Sequence, residues 1–335
     1  MQWIKKAIPY VWRGAAIGIA EIIPGVSGGT IAFITGIYEK LIYTIKSIDH
    51  ILIADFFTGR WKSITAKLDI AFLFYILTGM FSGIVLGVFG VTWLLEYYPE
   101  PLWGFFFGLI ISSCFYIGKQ VSRWKPVTFA LLILGTVIAL TITLMNPSEG
   151  IDSLWYVFIC AIIAVSALIL PGISGSFILL LLGMYTVVIP AVKSVLTHRD
   201  GESIKIVSVF VAGCLVGLAT FSRVMGYLFK YFKNSTLALL TGFMAGSLYK
   251  IWPWRNVVSI LSKDDGNVYT IQSLQELAAF ESEGYKILIE NQVWPALYHG
   301  DPKILLTVSA TILGLVVVWI MEYYNKITGV EEIGS

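Results

Sequence analysis

Two short segments hold the residue types that could bind a charged group. Residues 24–38 read PGVSGGTIAFITGIY, and residues 171–185 read PGISGSFILLLLGMY. Each breaks an otherwise apolar region, 7–48 or 154–195, near its middle. In hydrocarbon, broken backbone is tolerated only where protein or a water-filled cavity satisfies its polar groups. Glycine lets a ligand approach the main chain closely. A helix starting after such a break turns free N–H groups and a positive dipole end toward it. The hydroxyls of Ser27, Thr30, Ser174 and Ser176 add donors. The chemistry that suits this set is anion binding. Pro24, Gly25, Ser27, Gly28, Gly29 and Thr30 would form one wall, and Pro171, Gly172, Ser174, Gly175 and Ser176 the other. The alternative is that Gly and Ser merely permit close helix packing.

Three charged residues stand inside apolar runs. Glu21 precedes Pro24 by three positions, and its counterpart before the second loop is Leu168. A carboxylate at membrane depth costs about 2.5–3.5 kcal/mol on insertion scales and usually has a function. Glu21 could couple transport to a proton or to sodium, or form a structural ion pair. Arg223 lies within the run 206–229, opposite Phe89 in the first half. Its planar guanidinium suits phosphate; the alternative is snorkelling to the interface. Arg13, two turns before Glu21, is a further candidate contact, with snorkelling the competing role. Glu39 and Lys40 read as an ordinary helix-boundary pair. Gly79, Gly83 and Gly87, Gly213 and Gly217, and Gly242 and Gly246 have the spacing of close helix packing.

The GxSG pattern in both loops invites comparison with a serine hydrolase, which needs a base near its serine. The three histidines, His50, His198 and His299, all fall in polar loops. No metal-ligand cluster, Walker loop or dinucleotide fingerprint is present, so neither enzyme nor cofactor is expected. Cys114, Cys160 and Cys214 lie in apolar runs and fit no disulfide framework. Of 335 residues, 57% are hydrophobic and only 13% charged, and mean hydropathy is +0.81. That is too little charge to cover a soluble globule of this length. The net charge of +2 shows no nucleic-acid footprint.

The elements that must position these residues are helices. Runs 70–95, 102–118, 127–145, 206–229, 236–252 and 303–322 are long enough to span a bilayer. The chain also repeats itself. Pro24/Pro171, Gly28/Gly175, Gly36/Gly183 and Tyr38/Tyr185 match at a shift of 147. Gly79/Gly213, Tyr97/Tyr231 and Gly108/Gly242 match at 134, then Thr128/Thr307 and Gly135/Gly314 at 179. The rise from 134 to 179 places a 45-residue insertion in the polar stretch 253–302. Within it, Ser273 to Glu276 reads as a capping box that starts a short helix.

Lys and Arg favour cytoplasmic loops. Lys5, Lys6 and Arg13 place the N-terminus inside, and the start MQWIKKAIPYVWRG reads as retained rather than as a cleaved signal peptide. Lys119, Arg123 and Lys125 place the 119–125 turn inside; the turns with Glu96 and Glu100, and with Glu149 and Asp152, are outside. The 193–205 loop, with Lys193, Arg199 and Lys205, is assigned outside against this bias. The expected fold is an all-α polytopic membrane protein of two inverted repeats, 1–150 and 151–335. Each has a broken or re-entrant hairpin and three transmembrane helices, as in many transporters. Insertion 253–302 is extracytoplasmic and both termini are cytoplasmic.

The segments GIAEIIPGVSGGTIAFITGIYE (18–39) and LPGISGSFILLLLGMY (170–185) resemble the paired signatures of the bacterial polyprenyl-phosphate transporter family. The resemblance runs from Arg13 to about Tyr324. It implies translocation of undecaprenyl phosphate, the lipid carrier of cell-wall precursors, across the bacterial plasma membrane. Loops 24–30 and 171–176 match its motifs, and Glu21 matches the acidic position before the first. Arg223 is a physical inference outside the motifs. The alternative function is transport of a small soluble anion; a lipid hydrolase or phosphatase ranks lower, because it lacks a base and metal ligands.

Overall fold

The computed structural model describes residues 2–23, 26–145, 151, 153–197, 200–262, 267–280 and 284–328. Pro24, Gly25, Glu149, Asp152, His198 and Arg199, all invoked above, lie outside the described residues.

The first apolar region forms α1 (Gln2–Ile22), α2 (Gly28–Ile34) and α3 (Tyr38–Lys46). The basic loop after it holds two short helices, α4 (His50–Phe57) and α5 (Trp61–Lys67). Then come α6 (Ile70–Tyr97), α7 (Pro99–Gln120) and α8 (Pro126–Leu144). The second region forms α9 (Leu154–Ile169), α10 (Gly175–Leu181) and α11 (Tyr185–Thr197), followed by the 47-residue α12 (Gly201–Ser247). Helix starts follow local chemistry. Asp69 accepts the Phe72 N–H at 3.0 Å, and Asp200 accepts the Ser203 N–H at 3.0 Å; each caps an orphan donor. Pro99 and Pro126 open α7 and α8, where the missing N–H costs nothing.

The runs 206–229 and 236–252 are the two arms of α12, which leaves helical geometry at Phe232 (φ −133°, ψ 37°) and ends at Ser247. Tyr98, between α6 and α7, has similar angles (φ −139°, ψ 51°). Phe232 follows Tyr98 by 134 residues, the repeat shift. Pro99 cannot donate to the helical ladder, so the first break separates two helices. Lys233 keeps its N–H, so the second remains a kink.

Glycines set the helix contacts. A Cβ on Gly79 would lie 2.1 Å from the Val11 carbonyl oxygen, and one on Gly83 2.1 Å from that of Ala15. This packs α6 on α1. Gly213 and Gly217 face Phe158 and Ile162 in the same way, packing α12 on α9. Gly108 meets Thr311 and Gly314 meets Phe105, across α7 and α14 (Ile304–Thr328). Gly242 meets Leu132 and Gly135 meets Leu239, across the second arm of α12 and α8. Each contact thus recurs in the other half at the shifts of 147, 134 and 179. Backbones this close are possible only without side chains in the seam.

The outward faces carry apolar residues: Phe74, Phe81 and Phe89 on α6, Phe129 and Ile133 on α8, Leu305 and Trp319 on α14. Among the described residues, α6, α7, α8, α12 and α14 are long and apolar enough to cross a membrane. The pair α10 and α11, bent by 110°, would count as a sixth span if taken as one.

The insertion differs from expectation. Only half of its capping box forms: the N-cap Ser273 accepts the Glu276 N–H at 3.3 Å, but Glu276 accepts the Gln272 N–H at 2.8 Å instead of the Ser273 N–H, and α13 (Leu274–Ala279) follows. Around it, β1 (Arg255–Ser262), β2 (Val268–Thr270) and β3 (Tyr285–Gln292) form an antiparallel sheet in the order β2-β1-β3. The all-helical reading therefore holds for the apolar part and omits this sheet. RNVVSILS carries Val257, Val258 and Ile260, and YKILIENQ alternates Tyr285, Ile287 and Ile289 at every second position, the signal that was available. The end of the insertion is tied to α7, where buried Glu100 accepts the Tyr298 hydroxyl at 2.8 Å and pairs with Lys303, just before α14, at 3.2 Å.

Candidate headgroup site

The two Pro-Gly loops meet. Ser27 and Ser174 both sit at N-cap positions with extended backbone. Ser27 Oγ accepts the Gly29 N–H at 3.2 Å and donates across to the Leu170 carbonyl at 3.1 Å. Thr30 Oγ1 accepts the Gly172 N–H at 2.9 Å. Gly172 needs its freedom: its φ is +84°, and a Cβ there would lie 2.7 Å from the Met244 backbone nitrogen. A Cβ on Gly29 would lie 2.7 Å from the Ile169 carbonyl oxygen. The glycines therefore bring the loops against each other and against α12.

The first loop is closed by bonds within the protein. Ser27 and Thr30 are fully buried and bonded to the second loop. Glu21 Oε1 accepts the Gly28 N–H at 2.9 Å, closing the start of α2. At the equivalent place in the second half, the side chain of Leu168 faces Gly175. The second loop is more open. Ser174 Oγ lies 3.0 Å from Ser176 Oγ, and Ser176 is exposed. Phe177 stands where the repeat would place a second Thr30.

Not every expected residue joins the loops. Arg223 is exposed on α12 and donates to the carbonyls of Ala219 and, at 3.2 Å, Ile48. These bonds tie α12 to the chain after α3, and neither reaches a Pro-Gly loop. Arg13 is completely buried, its guanidinium 5.4 Å from the Trp12 ring; it does not snorkel. Glu39 and Lys40 are not a boundary pair. Glu39 pairs with Lys233 of α12 at 3.0 Å, and Lys40 pairs with Asp69 at 2.9 Å and donates to Tyr10 at 3.1 Å. Both are ties between elements distant in sequence.

A narrow cleft, with enclosed room for about one water molecule, lies beside the second loop. Gly172, Ile173, Ser174 and Phe177 form one side; Ala139, Ile142 and Thr143 of α8, Ser247 at the end of α12 and Lys250 just after it complete it. Lys250 Nζ lies 4.9 Å from the Phe177 ring and 3.7 Å from Glu290 Oε2 on β3. Arg255 holds the same oxygen at 2.9 Å and stacks 4.0 Å from Trp103. Burial pushes the Lys250 ammonium below its ordinary pKa, with Glu290 opposing. Nothing in the sequence marks Lys250, because it ends an apolar run, where a lysine reads as an interface residue. Its counterpart is Tyr116, so symmetry offered no pointer.

Residues 17–269 match a family model described as VCA0040-like, undecaprenyl phosphate translocase-like. The chain belongs to this family. The resemblance seen in the paired loop motifs is thereby borne out. A protein of Vibrio cholerae named polyprenyl-phosphate transporter is 38% identical over 271 residues, 81% of this chain and 85% of that one. A Staphylococcus aureus protein of the same name is 33% identical over 266 residues, 75% of this chain and 87% of that one. No solved structure matches the chain. The translocase-like family is one of transporters, not enzymes, and with five helices among the described residues long and apolar enough to cross a bilayer this member is a multi-pass membrane protein.

Proposed function

We propose that this protein returns undecaprenyl phosphate from the outer to the cytoplasmic leaflet of the bacterial plasma membrane, so supporting cell-wall precursor synthesis. The observation that carries the reading is the direct bonding of two Pro-Gly loops, Ser27 to Leu170 and Gly172 to Thr30. An isolated phosphate in hydrocarbon would cost tens of kcal/mol by a Born estimate. The headgroup therefore needs a polar place within the protein, while its tail stays in lipid. Parting the loops loses about 1 kcal/mol net per hydrogen bond, and a phosphate bound between them offsets that loss.

The halves act as inverted repeats that rock to expose the loops to each leaflet in turn. The recurrence of glycine contacts at the repeat shifts, and the paired breaks at Tyr98 and Phe232, support this. Both termini are cytoplasmic and the sheet-bearing insertion is outside. Glu21, with no cationic partner among the described residues, is the coupling residue, for a proton or for sodium. Arg223 and Arg13 assist from the cytoplasmic half of the path.

The test is headgroup movement of undecaprenyl phosphate in vesicles holding the purified protein. Movement faster than in empty vesicles is expected, and slower movement in the Ser27→Ala, Ser174→Ala double variant and in Arg223→Ala. Rates equal to empty vesicles under every ion gradient would overturn the proposal. Flux of inorganic phosphate alone would instead favour a carrier of soluble anions.

A further inference from the structure

We infer that Lys250 is the cation that receives the phosphate group at the second loop, and that the sheet of the insertion exists in part to hold it there. The inference rests on the proposed transport of a lipid phosphate and adds the group that meets the charge.

The two halves divide the labour. In the first loop, Gly28 and Gly29 N–H and the Ser27 and Thr30 oxygens are bonded within the protein. A ligand entering there would have to break those bonds first. In the second half Phe177 replaces Thr30, and beside it lies the narrow cleft, which widens to admit a phosphate when the loops part. Its Thr143 and Ser247 hydroxyls donate to the carbonyls of Ala139 and Met244, which leaves them as acceptors only. An anion in that cleft needs donors and positive charge. Lys250 supplies both, with three N–H groups on one atom.

The surroundings keep Lys250 available. Glu290 is its nearby anion, yet 3.7 Å is beyond ordinary hydrogen-bond distance. Arg255 makes the short bond to the same carboxylate and also donates to the Lys250 carbonyl at 3.2 Å. Glu290 is thus neutralised mainly by Arg255, and the triad retains one net positive charge, on the lysine. The Arg255 side chain is only 7% exposed, and its Nε is buried without a hydrogen-bond partner. Ile142, Ile173 and Phe177 make the rest of the cleft apolar, as suits a phosphate on a prenyl chain more than a freely hydrated ion.

The experiment titrates full-length protein in phosphatidylcholine vesicles with undecaprenyl phosphate in one arm and inorganic phosphate in the other. Lys250→Gln should raise the half-saturating lipid concentration about tenfold or more, the worth of a charge-assisted bond. Lys250→Arg should restore most of the affinity, which a purely structural defect would not allow. Weakening in the lipid arm, with or without a matching change for inorganic phosphate, supports the assignment. A Lys250→Gln titration that overlays the wild type in both arms overturns it while leaving the transport proposal intact. A wild type that neither binds nor moves the lipid overturns both.

Discussion

The Thr30 hydroxyl oxygen accepts the Gly172 N–H at 2.9 Å, joining the two Pro-Gly loops across 142 residues of chain. Both groups are buried. A buried amide without a partner costs more than a made bond contributes, so this contact, with the Ser27–Leu170 bond, holds the crossing point of the halves.

Thr30→Val keeps the shape of the side chain and removes the acceptor. The Gly172 amide would be stranded, at about 1–3 kcal/mol. Thermal unfolding in detergent should show a clear loss for Thr30→Val and near wild-type behaviour for Thr30→Ser. Equal melting of Thr30→Val and wild type would mean that the loops are held by something else.

Gly172→Ala places a Cβ 2.7 Å from the Met244 nitrogen and forces a non-glycine residue to φ +84°. The left-handed conformation alone costs roughly 1–2 kcal/mol. Gly90→Ala is the control, since a Cβ there meets nothing within 4 Å. Expression and melting should fall for the first variant and hold or rise for the second. The reverse order would show that the loop does not approach α12 as described.

Glu21→Gln and Glu21→Leu separate capping from coupling. Glutamine still offers an oxygen to the Gly28 N–H; leucine does not. We expect Glu21→Gln to melt like wild type yet lose the response of transport to an imposed proton or sodium gradient. Glu21→Leu should lose stability as well. A gradient response surviving in Glu21→Gln would remove Glu21 from the coupling role.

Asp69 sets an acid-sensitive tie. Burial would raise its carboxyl pKa, but hydrogen bonds from Lys40 and the Phe72 N–H outweigh that and hold it below the ordinary 3.8. A depressed folded pKa contributes stability that is present above the unfolded value and lost as pH falls through the folded one. Unfolding followed down to pH 3 should therefore show a loss that begins near 3.8 and flattens in Asp69→Asn. An identical acid limb in both proteins would contradict the Lys40–Asp69 pairing.

Much of this molecule is legible in its residues. The apolar runs, the Pro-Gly breaks and the glycine spacings follow from local composition, because a bilayer demands long apolar helices and glycine marks close approach. The repeat shifts even foretell partners: Gly108 with Thr311 and Gly242 with Leu132 are related by 134 and 179. The paired motifs sufficed to place the chain in its family. Other features depend on residues far apart in sequence. Composition shows Ser27 and Thr30 as donors toward a ligand; the fold turns them onto Leu170 and Gly172. Arg223 looks like the phosphate partner, but its guanidinium reaches Ile48. Lys250 is an unremarked lysine at a helix end until α8, the second loop and β3 close around it. Periodicity and composition are local quantities, and the sequence by itself determined what they govern: helices, breaks and the membrane. Whether a hydroxyl or a cation faces a neighbour or a cavity depends on which distant backbone occupies its hydrogen-bonding directions, and only the tertiary structure decided that.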